Sequence, residues 1–332
     1  MENLNQDDIG PIDNIVNNYV NSVLKKTFPN IWDPSYGIDN INNSTTITLF
    51  PELINESLKG SKYYYRRKKK IFIHYTNLNS LLNIIREGQI RLYDLSSLDD
   101  PQELSYSTNA LELLDIETGD IEEQKKKIFI LSMNEFKEEA KLNNFINWRL
   151  YGQDGSGIGI VLEISEKDYD YHSHQHICKV FYNKDDLKDL ENLVNLSNEF
   201  FDKQDENIKL LNLYQDLLAR FLAFHKINIY NPENEVRLIE YIENPDYLDE
   251  TINFDLKNLK ERRYINIKLF SEISKKHPFL YSLDIKLSKV ILGYKYSRSN
   301  KRDIEEIVNK ISDKSLGYQI PVEITRLKKF FK

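Results

Sequence analysis

Glu233 and Glu235 stand two residues apart, after Asn231-Pro232 and ahead of the apolar run Val236-Arg237-Leu238-Ile239. Asn and Pro break regular structure and a β-branched run resumes it, so the pair belongs at the mouth of a strand. Alternation along a strand sends both carboxylates to the same side. Two such groups can stabilise a positive charge that forms beside them, and one of them can orient or deprotonate a nucleophile. The plainer alternative is an exposed strand edge, with Glu235 paired to Arg237 and the charge discouraging aggregation.

Other residues with chemical potential are scattered along the chain. His74-Tyr75-Thr76 closes an apolar run, where an imidazole can donate to a ligand hydroxyl or serve as a satisfied core group. Asp100 and Glu103, in Asp99-Asp100-Pro101-Gln102-Glu103, form a possible additional site, or cap and charge the first turn of a helix. Trp148 and Tyr151 precede Gly152, Gly155 and Gly157, whose missing side chains let the backbone pass close to a ligand or a neighbouring strand. Their spacing is neither G-x-G-x-x-G after a strand nor a Walker loop. His172, His174 and His176 would share one face if extended, but no carboxylate or fourth ligand stands at a telling spacing, so no metal is expected. Tyr63–Tyr65 followed by Arg66, Arg67, Lys68, Lys69 and Lys70 could contact nucleic acid, or form a solvated charge run. Cys178 lies among apolar neighbours and reads as inert. Carboxylates paired for glycoside hydrolysis stay open, because that pairing is a matter of space and not of spacing.

The elements that must position these residues follow from periodicity. Strands are expected at 71–76, from 90, at 126–133, 158–165, 176–182 and 235–242, with two or three more over 264–270 and 279–293 and a terminal one over 319–327. Helices are expected at 12–26, at 79–87 (capped by Asn77 or Asn79 and stopped by Gly88), after Pro101, over 135–150, and over 299–311 with Ser299 as cap. Residues 184–226 read as a helical hairpin or bent helix, although Ser197 interrupts the first apolar stripe. Residues 1–60 read as an N-terminal elaboration, irregular apart from its helix. Residues 61–332 read as one domain with the helical insertion at about 184–226. The class is α+β, with a mixed, mostly antiparallel sheet and flanking helices.

Bulk composition narrows the partners. The chain has 332 residues, 29% charged, with a net charge of −7, which gives no global attraction to nucleic acid or anionic membrane. One cysteine rules out a disulfide framework or a zinc ribbon and fits a reducing cytoplasm. The opening MENLNQDDIGPIDN is acidic and polar, so no signal peptide is expected, and no apolar run reaches membrane-spanning length.

Four segments in order resemble a large bacterial domain family of unknown function, marked by an Asn-Asp-Pro-x-Glu box. They are IHYTNLNSLLNIIREGQIRL; SSLDDPQEL, with Asp99 in place of the usual Asn; ILSMNE with NWRLYGQDGSGIGIVLEI; and HKINIYNPENEVRLIE. LSKVILG near the end also fits, so the resemblance covers roughly residues 70–295. More distantly, the order His-Tyr-Thr strand, helix, Ser-bearing strand and Glu-x-Glu strand resembles an ADP-ribosyltransferase core. That resemblance implies a split β-sheet and NAD as substrate. It implies that Glu235 stabilises the charge at the ribose while Glu233 orients or deprotonates the nucleophile. It further implies that His74, with Tyr75 and Thr76, holds the ribose and that Ser132 shapes the nicotinamide pocket. Trp148 or Tyr151 would stack on nicotinamide, and Arg237 or Lys226 would hold a phosphate or pair with a glutamate. The acceptor would be a protein or nucleic acid, as in bacterial toxins and antiphage effectors, or water, which makes an NAD glycohydrolase. Arginine-specific transferases carry Arg in the first strand and Ser-Thr-Ser in the middle one, where this chain has His74 and Leu-Ser-Met. Toxins that modify DNA bases also open on a His-x-Thr strand, so the acceptor stays open. A non-enzymatic nucleotide- or nucleic-acid-binding module is the remaining alternative.

Overall fold

Ile128–Glu135, IFILSMNE, is the strand on which the larger part of the fold is hung. A computed structural model of the chain describes residues 6–29, 36–41, 44–49, 58, 60–66, 70–98, 106, 118–137, 142–166, 175–203, 208–209, 218, 220–242, 252–257, 260–273 and 283–330. Among them the strands in chain order are β1 (Tyr36–Ile41), β2 (Ser44–Leu49), β3 (Ile71–Thr76), β4 (Gln89–Asp94), β5 (Ile128–Glu135), β6 (Ile158–Glu166) and β7 (Gln175–Lys179). They continue with β8 (Ile208–Lys209), β9 (Glu235–Tyr241), β10 (Ile252–Lys257), β11 (Lys260–Lys268), β12 (Leu283–Leu292) and β13 (Val322–Ile324).

The chain divides into two compact units. One is Met1–Tyr65, Asp100–Lys125 and Phe181–Asn228; the other is Arg66–Asp99, Lys126–Val180 and Ile229–Lys332. The stretch expected as an insertion in a single domain therefore groups with the N-terminal residues. Its apolar face explains why. Tyr19 packs its ring against Phe200 and Phe201, at centroid distances of 5.2 and 5.5 Å, and its hydroxyl bonds Ser197 Oγ at 3.2 Å. Ser197, the apparent break in the apolar stripe of the helix Lys188–Phe201, is thus a buried, partnered group.

In the second unit β5 has two different edges. One carries β9 antiparallel for its whole length, from Ile128↔Tyr241 to Asn134↔Glu235. The other is shared. β3 pairs with it at Phe72↔Glu135 and Ile73↔Asn134, and β4 pairs with it at Tyr93↔Ile130 and Asp94↔Phe129. From there the sheet branches. β3 leads to β6, β12 and β13, while β4 leads to β11 and β10, and β7 extends the sheet beyond β9. Among the described residues of this unit only β12–β13 is parallel. The result is a mixed, mostly antiparallel sheet with helices, in line with the α+β class expected from sequence.

Local chemistry sets the helix ends. Asn77, not Asn79, caps Leu78–Glu87 by accepting from the Ser80 N–H at 2.9 Å, and Gly88, at φ 61°, ends it. The later helix runs Arg298–Ser315. Its cap is Ser297 and not Ser299, because Ser297 and Asn300 bond each other's backbone N–H reciprocally. Ser315 Oγ donates to the Ile85 carbonyl at 2.6 Å and ties the two helices together.

Several expectations are corrected. The helix expected over 135–150 starts only at Leu142, because ladder partners on both edges carry β5 on to Glu135. Residues 36–49, expected as irregular cover, hold the antiparallel pair β1–β2, in keeping with the β-branched Thr45-Thr46-Ile47-Thr48. The N-terminal helix begins at Gln6 and passes into a π-helical turn at Val20–Leu24. The terminal strand shrinks to Val322–Ile324, followed by a 3-10 turn. Of the helix expected after Pro101 only Tyr106 is among the described residues, and it is helical.

In the first unit Phe221 packs against both Phe28 and Tyr63, and the Tyr63 hydroxyl bonds His225 Nε2 at 2.9 Å. Burial, with Lys62 as a lesser cause, pushes the His225 pKa down to about 3. The unfolded value is about 6.5, so between the two the unfolded chain takes up a proton that the native state refuses. The stability held in neutral His225 is complete above that unfolded value and is lost as pH falls toward 3. Denaturant unfolding of the wild type should weaken by about 1.4 kcal/mol per pH unit more steeply than that of His225→Gln below pH 6. Parallel curves for the two proteins would remove this role.

Candidate active site

The Glu-x-Glu segment enters the second unit through a turn. Asn228–Glu233 is a 3-10 turn containing Pro232, Asn234 takes a left-handed φ of 49°, and β9 starts at Glu235. This corrects the expectation that strand alternation aligns the two carboxylates, because Glu233 precedes the strand and Asn234 breaks the alternation. It also removes the exposed edge from the plainer alternative, whose pairing of Glu235 with Arg237 is present. Glu233 is 3% and Glu235 5% exposed, and β9 lies between β5 and β7.

Each carboxylate has a built surround. Arg237 Nε donates to Glu235 Oε1 at 2.9 Å and its Nη2 reaches Oε2 at 3.4 Å. Ser132 Oγ donates to the same Oε1 at 2.5 Å. Ser132 is opposite Arg237 in the ladder and Asn134 is opposite Glu235, so all four share one face. Arg237 is 1% exposed, which makes this a fully desolvated ion pair. Glu233 Oε1 accepts from the Tyr151 hydroxyl, and its backbone carbonyl accepts from Asn134 Nδ2 at 2.5 Å. The same amide reaches the Asn234 carbonyl at 3.4 Å. Asn134 thus fastens the turn that carries both acids. Sequence reasoning did not single it out; its one mark is an amide at the end of an otherwise apolar strand, two residues after Ser132.

The first-strand residues sit at the branch. In the interval between the β3 and β4 ladders on β5, His74 Nδ1 donates to the Ser132 carbonyl at 2.8 Å. That bond places the proton on Nδ1. Loss of solvation lowers the His74 pKa, against a smaller upward pull from the carbonyl, so the ring is neutral at pH 7. Tyr75 meets Trp148 edge-on, with centroids 5.0 Å apart at 80°, and burial raises its phenol pKa. Trp148 is 2% exposed within a core cluster of Ile73, Val161, Ile291, Tyr294 and Leu327. It therefore braces Tyr75 and has no open face for a ligand. The glycines serve packing of the same kind. Gly155, at φ 81°, lies where a Cβ would overlap the Tyr294 ring.

No family model matches the chain, and no curated protein or solved structure matches it either.

Thr76 ends β3 half-buried, with its carbonyl close to Gly157. Lys226 belongs to the first unit, where its backbone N–H donates to the Phe181 carbonyl at 3.0 Å. His176 is buried in β7 opposite Ile239. Cys178 is opposite Arg237, and burial pushes its thiol pKa far up, which keeps it unreactive. Arg66 is exposed and Lys70 half-buried. Asp100, Glu103, Arg67, Lys68, Lys69, His172 and His174 lie outside the described residues. Among the described residues no three or more His, Cys, Asp or Glu side chains are grouped to hold a metal, and no helix is long and apolar enough to cross a membrane.

Removing the arginine alone leaves a buried carboxylate without its counter-charge. Arg237→Met should therefore lower unfolding free energy by about 3–5 kcal/mol. Glu235→Leu combined with Arg237→Met should return most of it, and a double-mutant cycle by denaturant unfolding measures the coupling. Additive losses would show that the two groups do not act as a pair.

Proposed function

We propose that the second unit carries an NAD-dependent ADP-ribosyltransferase site. The observation behind this reading is one connected set: His74 bonds the Ser132 carbonyl, and the Ser132 hydroxyl bonds Glu235. The first-strand His, the middle-strand Ser and the last Glu of Glu-x-Glu meet where the sheet branches, although they are far apart in sequence. A charged carboxylate is costly to bury, and its retention with Arg237 and the Ser132 hydroxyl as partners suits a site where positive charge develops.

In this reading Glu235 faces the ribose as the bond from its C1″ carbon to nicotinamide breaks. Its fixed negative charge stabilises the oxocarbenium-like centre. Arg237 and Ser132 keep the carboxylate in place, so it need not reorganise. His74 is available to the ribose through Nε2, since Nδ1 is committed to the carbonyl. Tyr75, braced by Trp148, supplies aromatic surface for the base. Glu233 accepts the proton of the incoming nucleophile. The acceptor is a macromolecule; water in its place makes the same site a glycohydrolase.

Purified protein is incubated with NAD, with and without cell lysate, and nicotinamide release is followed. Wild type should release nicotinamide and Glu235→Gln should be slower by about 10²-fold or more. Stimulation by lysate identifies transfer, and equal rates without it identify hydrolysis. No release under either condition, or release that Glu235→Gln leaves unchanged, overturns the proposal.

A further inference from the structure

Tyr151 holds a position that the proposed chemistry reserves for the acceptor. Its hydroxyl donates to Glu233 Oε1, the carboxylate assigned above to take the nucleophile's proton. The residue is 44% exposed, and its bond to the acid is partly buried. The backbone beneath it is fixed. The Tyr151 N–H donates to the Asn147 carbonyl at 2.8 Å, and the next residue, Gly152, lies so close to Trp148 that a Cβ there would overlap the indole. Glu233 is equally fixed, through Asn134 on its carbonyl. Glu235, on the far side of one left-handed residue, is held by Ser132 and Arg237. A hydroxyl with its proton already directed at a carboxylate, next to the carboxylate that faces the ribose, has what a nucleophile requires.

We propose that Tyr151 is itself an acceptor, so that the protein ADP-ribosylates its own phenolic oxygen. This rests on the NAD reading of the site. The bond from C1″ to the nicotinamide nitrogen breaks and nicotinamide leaves with the bonding pair. Tyr151 Oη forms the new bond to C1″, and its proton passes to Glu233 and on to solvent. NAD and the phenol thus give the ADP-ribosyl ether, nicotinamide and one proton, with no further reactant. The product no longer has a hydroxyl to donate to Glu233, and it carries a bulky diphosphate at the mouth of the site. Self-modification therefore limits itself to about one event per chain.

Full-length protein is incubated with NAD alone, nicotinamide is quantified, and digested peptides are mapped by mass spectrometry. The expected result is one ADP-ribose on the peptide containing Tyr151, with nicotinamide released in about equal amount to protein. Tyr151→Phe should lose the label, and Glu233→Gln should acquire it about 10²-fold more slowly or worse. The map of wild-type protein decides the site without relying on how the variants fold. Nicotinamide release with no label on Tyr151 overturns this proposal and leaves the NAD reading standing. No nicotinamide from wild type, with or without lysate, removes the NAD reading and this proposal with it.

Discussion

A guanidinium and a carboxylate, both withdrawn from water, hold each other in place or not at all. The Arg237–Glu235 pair sits on the middle strand of β5–β9–β7, and both side chains are almost fully buried. Moving such charges out of water is costly, and their attraction offsets this only when geometry is good and spare lone pairs are occupied. Ser132 occupies one of those lone pairs from the neighbouring strand. The register of β5 against β9 must therefore be the observed one. A slip of one residue would turn Ser132 and Asn134 to the opposite face and leave the charges with apolar Leu131 and Met133. A polar stripe inside an apolar sheet thus fixes strand pairing that hydrophobic patterning alone would specify less sharply.

The branching of the sheet follows from the same strand. β5 cannot carry both β3 and β4 along one edge for its full length, so each takes a short segment and then leaves with its own partners. Between them the Ser132 carbonyl would lack a strand donor, and the His74 ring provides one. The imidazole has a structural part of its own. It completes a ladder that the backbone leaves unfinished, and it thereby fixes its own tautomer.

Much of this was legible in the sequence. IFIHYT, IFILSMNE, IGIVLEIS and EVRLIEY are strands because their apolar, β-branched runs have no other stable use, and Asn77 and Gly88 bracket their helix as local chemistry requires. Glu235, His74 and Ser132 were singled out by type and order, and hydrogen bonds through Ser132 link the three. What could not be read was pairing in space. Asn134 acquires its role only when the register sets it opposite Glu235, and Glu233 leaves the strand because Asn234 adopts a left-handed turn that short polar residues tolerate. Trp148 shows the reverse case. A large aromatic beside glycines reads equally as stacking platform or core, and only the enclosing Ile73, Val161 and Tyr294 decide for core. β10 was not singled out, although Ile252, Phe254 and Leu256 alternate strictly with polar residues in INFDLK.

The division of the chain into two interleaved units bears on how the protein is made. The backbone leaves one unit for the other at five points, after Tyr65, Asp99, Lys125, Val180 and Asn228. On a ribosome, then, the first unit waits for its last segment until Asn228 has emerged, and β5 spends that time without β9. Asn134 and Ser132 are synthesised about a hundred residues before the acids they are to hold. Nascent chains of this protein therefore hold β5 with β3 and β4 as its available partners and its β9 edge open until that strand is made, and an open apolar strand edge is prone to aggregation. Nor can either unit be isolated by a single cut, so any working fragment would have to be spliced together from separate stretches rather than trimmed from one end.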